Sequence, residues 1–333
     1  MNLPTNMVLV GDALERLREL PDASVDTVVT SPPYFGLRDY QVDQQIGLEP
    51  SVHDWVKRLV AVSDELTRVL TPTGSLWLNV GDSYSRRDSH GAPPKGLVLA
   101  PERLLLTLAS HGWRVRNKVV WAKPNPMPAS VRDRLSASWE PLYLLVRGRH
   151  YYFDLDPIRE PHTSARPTSR RTSTKRSGRP EWAGPLAGDQ SGLDRLHLRG
   201  LVGHPLGRNP RDVWIISTSG GSGGHHATFP EALIERPIMA TCPERVCVAC
   251  QLPWERERPP HEVTQIGQPA PKCRCKAGTR SGIVLDPFIG SGTTAIVAER
   301  LGRDWVGIEL NRNFAEMATR RIRAEREERT AAA

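Results

Sequence analysis

The chain has 333 residues, ample for a large core without disulfide staples, and reads as one large domain with insertions or as two domains. Its 45 Lys and Arg against 37 Asp and Glu leave a formal charge of +8, which suits an anionic partner without being specific to one. The first ten residues carry no basic segment followed by an apolar run, and no stretch reaches the roughly 18 consecutive apolar residues of a membrane span; a soluble, cytoplasmic protein with no membrane partner is expected.

In chain order, the short apolar, β-branched runs Met7–Val10, Thr27–Thr30, Leu76–Asn79, Lys118–Trp121 and Leu142–Val146 predict strands. Ile283–Asp286 and Trp305–Glu309 predict two more near the other end. Trp55–Leu70 and Pro101–His111 have helical spacing, with Val56, Leu59, Val60, Leu66 and Val69 forming one apolar stripe that belongs to a core. This alternation predicts an α/β fold with a largely parallel sheet built from both ends of the chain. From Glu160 to Arg211 the composition turns to Arg, Ser, Gly and Pro, with Arg170, Arg171, Lys175, Arg176 and Arg179 inside ten residues. The stretch reads either as a linker or as an insertion that orders on DNA, because such side chains neutralise phosphates or reach base edges. Arg320–Ala333 reads as a charged, fraying helix end.

The strand Thr27–Thr30 runs straight into Ser31-Pro32-Pro33-Tyr34, just beyond a strand's carboxyl end, where open α/β sheets bind ligands. Two successive prolines fix φ and remove two amide donors, leaving carbonyls to face a substrate; a purely structural turn would use the same residues. Downstream, Leu285-Asp286-Pro287-Phe288-Ile289-Gly290-Ser291-Gly292-Thr293-Thr294 is a strand turning through glycines into a helix over Ala295–Leu301. Such a turn allows close backbone approach to a ligand, and the helix start offers free N–H groups. A phosphate loop needs a lysine after its last glycine, whereas Thr293 follows Gly292, so nucleotide hydrolysis is set aside. About 20 residues on, Glu309 closes the next strand, the placement that grips ribose hydroxyls.

All five cysteines lie between Cys242 and Cys275, clustering expected of a metal site more than of a disulfide scaffold. The pairs Cys247/Cys250 and Cys273/Cys275 are compatible with four thiolates around a structural zinc ion; Cys242 is a replacement ligand or a free thiol. Reduced cysteines in a loop are the alternative.

Taken in this order, the motifs resemble the amino-methylating DNA methyltransferases of the permuted, beta-class arrangement. Ser31-Pro32-Pro33-Tyr34 is similar to that family's catalytic motif of Ser, Asp or Asn before Pro-Pro and an aromatic, and Asp286–Thr294 to its cofactor loop. His225-His226-Ala227-Thr228-Phe229-Pro230 and Gly11-Asp12 resemble two further family segments, and Val69–Gly74 resembles the family's structural turn that leads into a strand. The resemblance covers most of the chain outside the basic middle and the cysteine section. It implies a Rossmann-like methyltransferase fold dependent on S-adenosylmethionine, with circularly permuted motif order. Residues 1–160 would be the catalytic half, 161–211 a basic target-recognition insertion and 212–240 a cofactor-contacting segment. Residues 241–280 would be a zinc-knuckle-like insertion, 281–325 the cofactor half and 326–333 a tail.

By the same resemblance, Glu309 binds the cofactor's ribose hydroxyls and Asp12 its adenine amino group. Phe229, Phe288, Gly290, Ser291, Gly292 and Thr293 line the rest of the pocket, and Asp286 orients the loop or the cofactor's ammonium. His225 makes either a turn-stabilising bond or a direct contact. Ser31 and the Pro32 carbonyl would accept the amino hydrogens of a flipped base stacked on Tyr34. Serine at the head of the tetrapeptide is more typical of cytosine N4 than of adenine N6 enzymes, so cytosine in double-stranded DNA is the expected target. Adenine N6, an RNA or protein amino group, and an inactive DNA-binding module are the alternatives; the intact motifs speak against the last. A cognate restriction endonuclease is an expected partner, and the nucleoid of the cytoplasm the expected location.

Overall fold

β-branched and apolar runs become strands of one eight-stranded sheet in the computed structural model, which describes residues 3–162, 204, 206–218, 229–257 and 266–332. The amino-terminal part supplies β1 (Met7–Val10), α1 (Ala13–Glu19), β2 (Val25–Thr30), α2 (Val52–Val69), β3 (Leu70–Asn79), α3 (Ala100–Ser110), β4 (Arg114–Ala122), β5 (Trp139–Val146) and β6 (Val213–Ile215). Helix α4 (Glu231–Thr241) follows, then four two-residue strands: β7 (Val246–Cys247), β8 (Glu255–Arg256), β9 (Pro269–Ala270) and β10 (Thr279–Arg280). The chain closes with β11 (Ile283–Asp286), α5 (Thr293–Arg300), β12 (Asp304–Glu309) and α6 (Arg312–Ala332). Arg170, Arg171, Lys175, Arg176, Arg179 and His225–Thr228 lie outside the described residues.

The sheet order is β1-β12-β11-β2-β3-β5-β4-β6, so strands from both ends of the sequence interleave. β12 pairs with β1 from Met7↔Val306 to Val10↔Glu309, and β11 pairs with β2 through Val284↔Thr27 and Leu285↔Val28, both in parallel. Only β5 runs against its neighbours β3 and β4, so every other strand ends at one common edge.

The period-two geometry of a strand divides each central run between two cores. On β5, Tyr143 and Leu145 face the core under α1, α2 and α3, which includes Leu17, Trp55 and Leu104. Leu142, Leu144 and Val146 face the other core, with Leu233 of α4, Ile296 of α5 and Ile322 of α6. The helices that follow β2 and β11 therefore cover opposite faces, although the two strands are neighbours. The connections diverge at that point and leave a crevice beyond the carboxyl ends.

Helix starts follow local chemistry. Asp12 Oδ1 accepts from the Leu14 and Glu15 amides at the start of α1, and Ser51 Oγ from the Asp54 amide at the start of α2.

Four expectations change. β4 begins at Arg114, because its exposed residues Arg114–Lys118 lack an apolar pattern but still pair with β5. The segment Val69–Gly74 is no simple turn: Val25 pairs with Leu70 and Thr27 already with Ser75, so Thr71–Gly74 bulges from the ladder. The short strand β6, with one buried residue, carries too little pattern to be read. The tail is anchored well beyond Arg320: α6 runs to Ala332, with Ile322 3% exposed, Arg321 donating to Ser291 and Thr293, and Arg326 paired with Glu299.

This docking is testable. Ile322→Ala should lower unfolding stability in urea by about 2–5 kcal/mol, the cost of a large-to-small change in a core; a frayed tail would give no change.

Candidate active site

Four adjacent parallel strands deliver their last residues to the same edge. Asp12 follows β1, Glu309 ends β12, Asp286 ends β11 and Ser31 follows β2. All four line one cleft, together with Phe229, Phe288, Gly290, Ser291 and Thr293. Gly292 is not on that lining. It caps α5 at φ +85°, and a side chain there would come within 3.1 Å of Ile322, so its role is a tight turn packed against α6.

Asp286 is buried at 1% exposure and is bonded on both oxygens. Oδ1 accepts from Thr30 Oγ1 at 2.6 Å and from the Phe288 amide at 3.0 Å, while Oδ2 accepts from Thr294 Oγ1 at 2.6 Å. It thus ties the end of β2, immediately before Ser31, to the glycine loop and to α5. Burial pushes its carboxyl up from 3.8 to about 6, opposed by these three donors. Of the two roles read from the sequence, its bonds serve the loop. Glu309 stands beside it, accepting from the Gly290 amide at 3.0 Å through Oε2 and from the Asn311 amide at 2.9 Å through Oε1. Burial raises its pKa and the two amides oppose the rise. Each oxygen keeps a second lone pair for a ligand hydroxyl.

Beyond β2 the tetrapeptide joins a polar network. Ser31 Oγ lies 3.2 Å from Tyr34 Oη, which lies 3.0 Å from both Asn79 Oδ1 and Glu140 Oε2. Asn79 ends β3, and its amide nitrogen donates to the Pro141 carbonyl at 3.0 Å. Glu140, near the start of the reversed β5, is ion-paired through Oε1 with Lys123, whose ammonium also sits 4.3 Å from the Trp121 ring centroid. The Pro33 carbonyl is taken by Trp55 Nε1 at 3.0 Å, which seats the turn on α2. The Tyr34 ring lies against Gly81, where even a Cβ would come within 2.5 Å of it. Burial, then the charge of Glu140, raises the Tyr34 hydroxyl well above its ordinary value, so it stays protonated.

Asn79, Lys123 and Glu140 were not legible as site residues, since a polar residue at a strand end is common and their meeting depends on strand order. Tyr40 and Phe314 are further additions: both line the cleft, with ring centroids 6.4 Å apart, from segments distant in sequence. The sulfur atoms of Cys247, Cys250, Cys273 and Cys275 come together away from this site, while Cys242 is buried in the core with Leu233 and Trp305 and is no part of that cluster.

A family model described as DNA methylase matches residues 25–320. The chain is 35% identical to the Type II methyltransferase M.Cfr9I of Citrobacter freundii, over 95% of this chain and 87% of that one. Among solved structures it resembles the PvuII DNA methyltransferase (cytosine-N4-specific), with a TM-score of 0.59 at 19% identity, covering 96% of this chain and 86% of that one. It also resembles TTHA0409 of Thermus thermophilus in complex with S-adenosyl-L-methionine, with a TM-score of 0.53 at 23% identity, covering 96% and 93%. At these identities the structural likenesses establish the fold. No helix among the described residues is long and apolar enough to cross a membrane.

The buried carboxylate yields a pH test. Its proton is held more tightly in the folded chain, so the stability this gives is complete below about pH 4 and is lost as the pH rises through about 6. Asp286→Asn removes that dependence. Relative to wild type, the variant should gain about 2 kcal/mol between pH 4 and pH 6.5 in urea titrations. Parallel curves for the two proteins would rule out the raised carboxyl.

Proposed function

This chain belongs to the DNA methylase family, and on that premise we propose that it transfers a methyl group from S-adenosylmethionine to the exocyclic N4 of cytosine in double-stranded DNA. The cleft suits an adenosyl ligand: Glu309 offers lone pairs to ribose hydroxyls, Asp12 an acceptor for the adenine amino group, and Phe229 and Phe288 apolar walls. Bound there, the cofactor supplies an electrophilic methyl group on a sulfonium, so that no covalent enzyme intermediate is needed.

What the protein must supply is hydrogen-bond direction. An exocyclic amino nitrogen is a poor nucleophile because its lone pair is delocalised into the ring, and acceptors placed at its hydrogens localise that pair. Ser31 fits this role because of one observation. The single Tyr34 hydroxyl hydrogen stands between two acceptors, Asn79 Oδ1 and the Glu140 carboxylate. Whichever receives it, Tyr34 has no hydrogen left for Ser31, so the Ser31 hydroxyl donates to Tyr34 and its own lone pairs face outward. Glu140 and Lys123 are positioning residues behind that polarity. The Pro32 carbonyl is proposed as the second acceptor and the Tyr34 ring as the stacking surface for a base flipped out of the duplex.

Cytosine is favoured over adenine by serine at the head of the tetrapeptide. Arg170, Arg171, Lys175, Arg176 and Arg179 are proposed to hold DNA phosphates, and the Type II names of the relatives support a cognate restriction endonuclease as partner.

Labelled cofactor and mixed-sequence duplex DNA, followed by nucleoside analysis, should yield N4-methylcytosine. N6-methyladenine would move the assignment to adenine, and no methylated base at all would sink it. Ser31→Ala should lower turnover by about 10²-fold or more while leaving cofactor affinity unchanged. Glu140→Gln, which places an amide beside Tyr34, should also lower kcat without changing cofactor affinity, and Glu140→Asp should restore part of it; unaltered kcat in Glu140→Gln would remove Glu140 from the scheme. Neutralising Arg170, Arg171 and Arg176 together should make the log–log salt dependence of DNA binding shallower by about 3, one counterion per lost phosphate contact; an unchanged slope would return the stretch to linker status.

A further inference from the structure

Between α4 and β11 the chain leaves the sheet and returns through β7 to β10, with β10 pairing back onto β7 through Thr279↔Cys247 and Arg280↔Val246. This fold brings four cysteines distant in sequence into one cluster. The sulfur atoms of Cys247, Cys250, Cys273 and Cys275 all lie within 4.8 Å of one another. A tetrahedral tetrathiolate with zinc–sulfur bonds of about 2.3 Å has sulfur–sulfur edges of about 3.8 Å, so closure needs a contraction of at most about 1 Å. All four are free thiols, and Cys250 and Cys275 are exposed.

Backbone geometry at both pairs points the same way. The Cys247 carbonyl accepts from the Gln251 amide at 2.9 Å and the Cys247 amide donates to the Leu252 carbonyl at 3.0 Å, which folds the chain back beside Cys250. Directly after each pair the chain turns through a left-handed residue, Gln251 at φ 59° and Lys276 at φ 51°. Each pair is thus followed at once by a reversal of the chain, as a loop that presents two thiolates to one ion requires. Cys242 is 0% exposed in the core and absent from the cluster, so it is not a ligand.

We propose that Cys247, Cys250, Cys273 and Cys275 form a closed site for one zinc ion, which holds the insertion against the amino-terminal edge of the sheet. The four thiols bind as thiolates and release their protons to solvent. Four sulfur ligands leave no open position, so the ion is structural. Its place in the fold agrees. β10 runs directly into β11, and Arg280 of β10 pairs with buried Asp26 near the start of β2 at 2.5 Å, while Asp26 also accepts the Ile283 amide at 2.9 Å. A second tether joins Arg256 of β8 to Asp154 at 2.6 Å and to Glu244. The site thus anchors β11 to β2 at the edge opposite Ser31 and Asp286.

The full chain, purified without chelator, should carry one zinc per molecule by elemental analysis. Titrating its thiols with a mercurial should release that zinc in step with four modified cysteines. Exchange into cobalt should give the intense visible absorption of a tetrahedral thiolate centre. Cys250→Ser and Cys275→Ser should lose the zinc and melt at lower temperature, whereas Cys242→Ala should keep it. Should the serine variants fail to fold, the wild-type thiol titration and the cobalt spectrum decide. A folded, zinc-free wild-type protein with four freely reacting thiols, iron in place of zinc, or an octahedral cobalt spectrum would overturn the proposal.

Discussion

Everything at the site depends on one buried carboxylate. Asp286 joins segments far apart in the sequence: Thr30 at the end of β2, the loop amide of Phe288, and Thr294 of α5. A carboxylate removed from water is costly unless its oxygens are hydrogen-bonded, and three donors meet that demand here. The consequence is positional. Ser31 follows Thr30 directly, so the bond that satisfies Asp286 also sets the Ser31–Tyr34 turn beside the glycine loop.

Permuted motif order leaves this arrangement intact, because a sheet position is set by strand pairing rather than by place in the chain. β11 and β12 arrive last yet slot between β1 and β2, which puts Asp12, Glu309, Asp286 and Ser31 on consecutive carboxyl ends. The reversed β5 adds a different element to the same edge. Glu140, its second residue, faces the site from a strand whose carboxyl end lies far from it, and the ion pair with Lys123 keeps that charge accompanied. The two edges of the sheet thus divide the work. Directional hydrogen bonding gathers at the carboxyl edge, and the cysteine insertion with its Arg280–Asp26 tether secures the amino edge.

Much of the fold was legible because it is local. Apolar runs of strand length, the glycine turn after Asp286, the acidic end of β12 and the two cysteine pairs each occupy a few consecutive residues, and their chemistry can be read without knowing their neighbours. The misreadings also have local causes. A stretch of exposed residues hid the first half of β4, and a charged surface made α6 look unanchored although Ile322 holds it in the core.

By itself the sequence determined the α/β class, the Ser31–Tyr34 and Asp286–Thr294 motifs at strand ends, the acidic end of β12 and the two close cysteine pairs. Tertiary structure alone decided which partners those groups have. That Asp286 divides its oxygens among Thr30, Phe288 and Thr294, that Tyr34 gives its hydrogen to Asn79 or Glu140, that Tyr40 meets Phe314 across the cleft, and that Cys242 is left out of the thiol cluster all follow from strand order and register. A hydrogen bond between residues far apart in the chain leaves no periodicity behind. It exists only once backbone pairing has fixed which strand ends lie side by side.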